Sequence, residues 1–354
     1  MLTPPRARTK RIFERLDELY EIGGGEGANR PGFSGAEDEA HELVAGWMRD
    51  GGLETEVDAA GNLVGRSPGR RPDLAEVWTG SHVDSVPRGG RFDGALGSVA
   101  GLEAVELAAA ERCERTLAVA VFRAEETGCH GSRARAAERS LPGAFLELHV
   151  EQGPVLANAG APLGVVTAIA GIARGGRTFV GSAAHAGTTP MDARRDALVE
   201  AAGYVLSVRD AAAAIEGTVA TVGHLELEPG AENVVPALVR LRVDARAPDA
   251  ARLERLVAEL GLEPDYRVEP VPMAERVRAV LREEIERLAL PAVELPSGAG
   301  HDAGILAAAG VDAGMLFVRS LAGGASHCPE EESSEEDVAL SVEALAGALR
   351  RLAA

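Results

Sequence analysis

Four segments of the sequence place histidine or acidic side chains directly after an apolar run. These side chains are His82 with Asp84 and Asp93, Glu125 with Glu126, His149, and His327. Polar residues at the carboxyl ends of strands are typical of ligand sites in α/β sheets. Asp84 lies two residues after His82, where a carboxylate can hold the second ring nitrogen of a ligating imidazole. Taken alone, His82 would more often be a loop histidine, and Asp93-Gly94 would be an ordinary turn.

Glu125 and Glu126 are adjacent carboxylates at the end of an apolar run, residues 117–122. Two such groups can divide the work of hydrolysis, because one can ligate a cation while the other takes a proton from the attacking water. In isolation, adjacent glutamates are more often a solvated pair. Together the segments supply three imidazoles and two ligating carboxylates, namely His82, Asp93, Glu126, His149 and His327. This inventory meets the needs of two zinc-like ions that share one bridging carboxylate.

Other polar residues have two interpretations each. Cys129 and Cys328 could be soft metal ligands, but neither has the paired spacing of a zinc motif, which favours structural roles. His301 and the following Asp302 could mimic an oriented ligand pair, but they are interpreted as loop anchors at a helix start. Arg246 could grip a substrate carboxylate bidentately, although an exposed ion pair is the commoner role. His185 would, taken alone, more often be a surface residue than a catalytic one.

The composition limits the classes of protein and of partner. The 354 residues suffice for a large and a small domain, and the net charge of -19 with only 3% aromatic residues argues against nucleic-acid binding. Lys10 is the only lysine, which excludes Schiff-base and P-loop mechanisms. The first residues lack a signal-peptide pattern, and the longest weakly polar run is too short to span a bilayer. Three scattered cysteines fit a reducing compartment, so we expect a cytoplasmic protein with no membrane partner.

Hydrophobic periodicity predicts an α/β protein with an inserted domain. Residues 1–173 and 285–354 are predicted to form a catalytic domain with a mixed, mostly parallel sheet flanked by helices. Residues 174–284 follow the order βαββαβ, which is typical of a ferredoxin-like α+β domain. The predicted helices are 9–22, 36–50, 98–110, 132–139, 192–213, 249–260, 274–290 and 338–352. The predicted strands are 63–64, 75–79, 117–122, 145–150, 174–182, 218–227, 235–246, 265–270 and 314–318.

The sequence resembles the M20-type metallohydrolases and, within them, the amidase, hydantoinase and carbamoylase branch. The resemblance is carried by GSHVDSVPRGGRFDGALGSVAGLEAV, EETG, LELHVEQGPVL with GVVTAIAG, SAAHAGTTPMDARRDAL, ENVVPALVRLRVDARAPD, LPSGAGHDA and MLFVRSLAGGASHCPEE. These blocks run in family order from about residue 20 to 350. Several of them are long, so the match is specific for the branch.

The resemblance implies a role for each matching position. It implies two divalent metal ions per subunit, Zn, Mn, Co or Ni, with Asp93 bridging and Glu125 as general base. It implies that Asp84 orients a ligand and that His185 reaches into a partner subunit's active site to polarise the scissile carbonyl. The implied substrate contacts are Gln152, His185, Asn233, Arg246 and the loop Gly298-Ala299-Gly300. A homodimer through the small domain, which would act as dimerisation and lid domain, follows from the same resemblance.

The favoured reaction is hydrolysis of an N-carbamoyl-L-amino acid, a small carboxylated ureido substrate, to the L-amino acid, carbon dioxide and ammonia. The alternatives are an allantoate amidohydrolase, an M20-type dipeptidase and a catalytically silent ligand-binding homologue. The sequence departs from the family pattern at residues 173–177, where an aromatic residue is common, and at Arg319, where proline is common. The small domain also looks trimmed between Gly261 and Arg276. These departures bear on substrate identity and subunit geometry and leave the ligand set intact.

Overall fold

The structure is a computed structural model that describes residues 5–111, 113–138 and 140–354. It divides into two compact units. The larger unit comprises the chain up to Thr167 together with Pro272–Leu295 and Gly300–Ala354, and the smaller unit comprises Ala168–Val271 and Pro296–Ala299. The boundaries near 168 and 271 differ from the predicted 174 and 284. The second boundary is earlier because Val277 and Leu281, from the helix that follows it, are buried in the core of the larger unit.

The chain forms helices and strands that alternate over much of its length. The helices are α1 (Pro5–Glu21), α2 (Gly35–Asp50), α3 (Ala95–Ala109), α4 (His130–Ala136), α5 (Val155–Ala159), α6 (Ala197–Ala213), α7 (Ala250–Leu260), α8 (Glu275–Arg287), α9 (Asp302–Ala308) and α10 (Glu335–Leu352). The strands are β1 (Glu54–Val57), β2 (Leu63–Ser67), β3 (Val77–His82), β4 (Leu117–Phe122), β5 (Ala144–Val150), β6 (Leu163–Ile169), β7 (Gly171–Val180), β8 (Ala184–His185), β9 (Val219–Glu228), β10 (Val234–Val235), β11 (Leu238–Ala247), β12 (Tyr266–Val268), β13 (Val271–Pro272), β14 (Val293–Ser297) and β15 (Asp312–Val318).

The larger unit is built on a mixed sheet with a parallel centre. Its strand order is β1-β2-β4-β3-β5-β15-β6, and β14 also pairs with β6. The pairs β4/β3, β3/β5 and β5/β15 are parallel, and the outer pairs are antiparallel. Strands β3, β4 and β5 are buried along their whole length, as expected where helices cover a sheet. This architecture confirms the predicted mixed, mostly parallel sheet with flanking helices.

The smaller unit contains a four-stranded sheet of order β12-β7-β11-β9 with all neighbours antiparallel. In chain order this is 4-1-3-2, the arrangement of the split βαββαβ motif that the sequence predicts. Alternate residues of β11, including Val239, Leu241 and Val243, are buried in the core that this sheet shares with α6 and α7. A dimerisation or lid role for this unit stays a prediction.

Most predicted elements match observed ones to within a few residues, and strand β4 coincides with its prediction. Strands β1, β6, β8, β13 and β14 and helix α5 are not among the predicted elements. Helix α4 begins at His130, two residues before its prediction, and the predicted end at Arg139 lies outside the described residues. Among the described residues, no helix is long and apolar enough to cross a bilayer.

Candidate metal centre and catalytic residues

The larger unit brings the predicted ligands together at the carboxyl ends of its parallel strands. His82 is the last residue of β3, Glu125 and Glu126 follow β4, and His149 lies near the end of β5. His327 follows β15, the neighbour of β5. Because parallel strands end at the same edge of a sheet, residues that are distant in sequence meet there. Gln152 also lies at this edge, and its Nε2 donates to Asp93 Oδ2 over 3.1 Å.

Asp93 lies at the centre of the cluster. Its Oδ1 lies 3.1 Å from His149 Nε2, and its Oδ2 lies 3.0 Å from His327 Nε2. His82 Nε2 is 3.9 Å from Asp93 Oδ1. The two oxygens of Asp93 therefore face different histidines, which is the arrangement that a bridging carboxylate requires.

The histidine rings are oriented as metal ligands would be. His82 Nδ1 lies 3.1 Å from the Asp84 carbonyl oxygen, and His149 Nδ1 lies 2.9 Å from the Val150 carbonyl oxygen. Each carbonyl accepts the Nδ1 proton, which leaves the lone pair of Nε2 directed at Asp93. Metal-ligating histidines are usually held in this way through their other ring nitrogen.

Two overlapping groups of ligand atoms fit a pair of metal ions. The donor atoms of His82, Asp93 and His149 lie within 4.8 Å of one another, and so do those of Asp93, Glu126 and His327. Glu126 Oε1 is buried and has no hydrogen-bond partner among the described residues. Burial raises the pKa of Glu126, because a buried carboxylate without a partner is disfavoured. A metal ion would supply the missing partner, so the donor set fits such a centre.

Glu125 lies beside the ligand cluster, and its backbone is held by the buried Asp84. Asp84 accepts the backbone N–H of Glu125 on Oδ1 at 3.0 Å and that of Glu126 on Oδ2 at 3.1 Å. Burial raises the pKa of Glu125 to about 7, although the positive charge of His82 opposes this shift and the negative charge of Glu126 adds to it. A carboxylate with such a pKa can accept a proton and return it near neutral pH.

Two buried charged residues near the site were not found by sequence reasoning. Glu37 accepts the backbone N–H of Ala124 on Oε1 at 2.7 Å and that of Phe33 on Oε2 at 2.5 Å, which fixes the turn before Glu125. Arg30 donates from Nε to the Val83 carbonyl oxygen over 2.6 Å and so fixes the chain after His82. Both are charged residues in polar stretches, where sequence alone gives no signal of burial.

Gly94 is required for the approach of His82 to Asp93. Its φ of 62° lies in the left-handed region, and a Cβ at this position would overlap the His82 ring. We expect Gly94→Ala to lower the free energy of unfolding by about 1–3 kcal/mol from backbone strain alone and to weaken metal binding. Urea unfolding and metal titration measure the two effects. Gly203→Ala, inside α6 with open space at the added Cβ, is the control. It should leave metal binding unchanged and raise the free energy of unfolding by roughly 0.5–1 kcal/mol, because alanine is the better helix former.

Of the remaining predicted substrate contacts, Gly300 lies in the larger unit and the others lie in the smaller unit. His185 on β8 pairs with Val234 on β10, and the Ala186 N–H donates to the Asn233 carbonyl oxygen over 2.9 Å. His185 Nδ1 accepts the Gly187 N–H at 3.1 Å, so a neutral ring carries its proton on Nε2. That proton is the donor that a carbonyl-polarising role needs.

Arg246 is positioned by two partners within the smaller unit. Its Nε and Nη2 donate to the two oxygens of Asp244 over 2.8 and 3.1 Å, and its Nη1 donates to the Gly298 carbonyl oxygen over 2.6 Å. The ion pair that the sequence analysis considered is therefore present. Each terminal nitrogen keeps a second hydrogen, and a grip on a substrate carboxylate stays a prediction.

The structure also places His301, the three cysteines and Arg319. His301 precedes α9 and is buried, with its ring centroid 4.5 Å from that of His149. Its donor atoms and those of Glu147 and His149 form a third group of potential ligands. All three cysteines are free thiols, and Cys129 Sγ lies 3.5 Å from Glu125 Oε1. Arg319 makes a bidentate ion pair with Asp337 on α10 at 2.9 and 3.1 Å.

The chain matches a known protein family and curated proteins of named activity. Residues 78–351 match the family described as Peptidase family M20/M25/M40. The chain belongs to this family. It is 37% identical to an N-carbamoyl-L-amino acid amidohydrolase of Geobacillus stearothermophilus, over 95% of this chain and 96% of that protein. It is 33% identical to the allantoate amidohydrolase of Bacillus subtilis, over 89% of this chain and 90% of the other.

A solved structure extends the family relationship to the fold. The crystal structure of an amidase of the hydantoinase/carbamoylase family from Burkholderia multivorans superposes with a TM-score of 0.90 at 30% identity and covers 98% of both chains. The resemblance to the M20 family inferred from the sequence is thereby confirmed. The segments of His82, Asp93, Glu126 and His149 lie within the first half of the family match. The segment of His327 lies near the end of this match.

Proposed function

We propose that this M20 protein hydrolyses the ureido C–N bond of N-carbamoyl-L-amino acids. The chain is a hydrolase acting on non-peptide C–N bonds, as its family and its amidohydrolase relatives indicate. The observation that carries the proposal is Asp93 placed between His149 and His327, with Glu125 beside the cluster. The products would be the free amino acid and carbamate, which decays to ammonia and carbon dioxide.

Two divalent metal ions are proposed as the cofactor of each subunit. His82 and His149 would hold one ion, Glu126 and His327 the other, and Asp93 would bridge them. Bound ions would act as Lewis acids toward the scissile carbonyl and would acidify the attacking water. Imidazole and carboxylate ligands accept Zn, Mn, Co or Ni, so the ion in the cell would depend on availability.

The chain's own residues would handle the protons. Glu125 would take a proton from the attacking water and return it to the leaving nitrogen, as its raised pKa allows. Asp84 would hold His82 and the Glu125 backbone in place. His185 Nε2–H would donate to the oxygen that gains negative charge as the carbonyl becomes tetrahedral.

Arg246 would select substrates that carry a carboxylate. The hydrogens left on its terminal nitrogens form the planar fork that binds a carboxylate bidentately. Asp244 and Gly298 would keep this fork in one orientation. Gln152, Asn233 and the loop of Gly298, Ala299 and Gly300 are proposed as further substrate contacts.

A substrate panel tests the proposal. Purified, metal-loaded protein would be assayed for ammonia and amino acid release from N-carbamoyl-L-amino acids, allantoate and dipeptides. The proposal predicts turnover of carbamoyl substrates with one amino acid formed per ammonia. Similarity to an allantoate amidohydrolase supports allantoate as the second candidate substrate. Turnover of allantoate alone would mean that allantoate, and not an N-carbamoyl-L-amino acid, is the substrate. Turnover of dipeptides alone, or of nothing with metal bound, would favour a dipeptidase or a silent homologue.

We also propose a homodimer through the smaller unit. Strand β9 is an outer strand of the small sheet, and Val219 and Leu225 on it are exposed. Helix α6 packs against β9 and exposes Leu198, Val199 and Leu206. An unpaired strand edge beside apolar side chains is typical of a surface that pairs with another chain.

The free cysteines fit a reducing compartment, and a cytoplasmic location stays a prediction.

Mixing two inactive variants tests whether His185 acts across the dimer. Glu125→Gln and His185→Ala should each be nearly inactive alone. In a mixed dimer the His185→Ala subunit keeps Glu125 and would receive His185 from its partner. Random exchange of subunits should therefore restore about a quarter of wild-type activity, because half of the dimers are mixed and each has one intact site. No recovery in exchanged dimers, or a fully active monomer in light scattering, would contradict the proposal.

A further inference from the structure

Glu331 links two of the ligand segments through its carboxylate. Its Oε2 accepts the backbone N–H groups of Phe92 and Asp93 at 2.7 and 2.9 Å. Its Oε1 accepts the Ser326 hydroxyl at 2.7 Å. Ser326 directly precedes His327, so one buried side chain holds the segment of Asp93 and the segment of His327 together.

Glu331 is closely packed as well as hydrogen-bonded. It is buried although it carries a carboxylate, and a Cβ added at Gly90 would overlap that carboxylate. Hydrogen bonds to an ionised carboxylate are shorter and stronger than those between neutral groups. Three such bonds to one buried group offset part of the cost of its burial. Close packing and three hydrogen bonds therefore favour this position of the side chain, which connects both segments.

We propose that Glu331 is a positioning residue for metal binding, which sets the separation of Asp93 and His327. The inference rests on the proposed metal centre. Asp93 Oδ2 and His327 Nε2 are 3.0 Å apart, and the same carboxylate accepts the Asp93 backbone N–H and the hydroxyl of Ser326, the residue before His327. Without Glu331, the half-exposed His327 would be free to move away from Asp93. The second group of ligands, Asp93, Glu126 and His327, would then be lost before the first.

The alternative is that Glu331 only stabilises the fold. The two roles differ in metal affinity, because a fold-stabilising residue would lower the free energy of unfolding and leave the affinity of the folded protein unchanged. Loss of a group that orients metal ligands typically lowers affinity by roughly 10- to 100-fold. The Co²⁺-loaded protein adds a spectroscopic test, since its visible absorption depends on which ligands surround the ion.

The experiment compares Glu331→Ala, Glu331→Gln and Ser326→Ala with Glu332→Ala, an exposed neighbour that loses the same charge. Zn²⁺ affinity and stoichiometry are measured on the metal-free full-length protein by competition with a chromophoric chelator. We expect Glu331→Ala to weaken the second Zn²⁺ by roughly 10- to 100-fold and to change the Co²⁺ spectrum. Ser326→Ala should weaken the same ion less, and Glu332→Ala should match the wild type.

Ser326→Ala keeps the inference testable if Glu331→Ala does not fold, because it removes only the bond between Glu331 and the segment of His327. Glu331→Gln should recover most of the Zn²⁺ affinity that alanine loses, since its amide oxygen can still accept both backbone N–H groups. Wild-type Zn²⁺ affinity and an unchanged Co²⁺ spectrum in Ser326→Ala, when Glu331→Ala is either equal to wild type or unfolded, would overturn the inference. Failure of the wild type to bind two Zn²⁺ would instead overturn the proposed metal centre.

Discussion

Replacing Glu125 by glutamine should lower kcat by between about 100- and 10,000-fold and leave the metal content unchanged. Glutamine has the size of glutamate but cannot accept the proton of the attacking water. The Glu125 carboxylate is not a member of either proposed ligand group, although its Oε2 lies 3.7 Å from His82 Nε2. The backbone N–H bond to Asp84 does not depend on the side chain, so the turn should keep its shape.

Steady-state kinetics and elemental analysis on the same preparation measure these two effects. Glu138→Gln removes a comparable charge from an exposed position and serves as the control. A near-normal kcat in Glu125→Gln would remove Glu125 as the base. A large loss of metal in the same variant would instead make Glu125 a ligand.

Replacing Asp93 by alanine should abolish the binding of both metal ions and reduce hydrolysis to background. Asp93 belongs to both ligand groups and faces His149 and His327 with different oxygens. The Asp93→Ala change should lower metal affinity by more than the roughly 100-fold that is typical when a residue that only orients ligands is removed. It also leaves Gln152 Nε2 without its carboxylate partner.

Metal stoichiometry by elemental analysis measures the Asp93 effect directly. Asp73→Ala is the matched control, since Asp73 is an exposed aspartate that pairs with Arg71 on the surface of the larger unit. The prediction requires that Asp73→Ala bind two ions and that Asp93→Ala bind none. Retention of a single tightly bound ion in Asp93→Ala would mean that one site forms without a bridge.

The ligand cluster could be predicted from sequence because its residues share a rule of position. His82, Glu126, His149 and His327 each lie at or beyond the carboxyl end of an apolar strand, and parallel strands end at one edge. Glu331 and Glu37 follow no such rule. Glu331 accepts from Phe92 and Asp93, and Glu37 accepts from Ala124, so these bonds join segments that are distant in the chain and the residue types alone do not reveal them.

The elements that were missed have physical reasons as well. Strand β14 contains Pro296, which removes a backbone donor and argues against a strand when read from sequence. Strand β6 is part of a continuous apolar run, whose periodicity does not separate a buried strand from a buried helix. The split βαββαβ order was predictable, because strand-like and helix-like patterns follow one another in that order along residues 174–284.

Hydrolysis of N-carbamoyl-L-amino acids at a metal centre built around Asp93 is the proposed function of this chain. The most direct test strips the purified protein of metal with a chelator, reloads it with Zn, Mn, Co or Ni, and follows ammonia and amino acid release from N-carbamoyl-L-methionine. We expect no turnover in the stripped protein and recovery on reloading, with equal amounts of ammonia and methionine. Undiminished turnover after complete metal removal, or no turnover of any carbamoyl amino acid by protein with two ions bound, would contradict it.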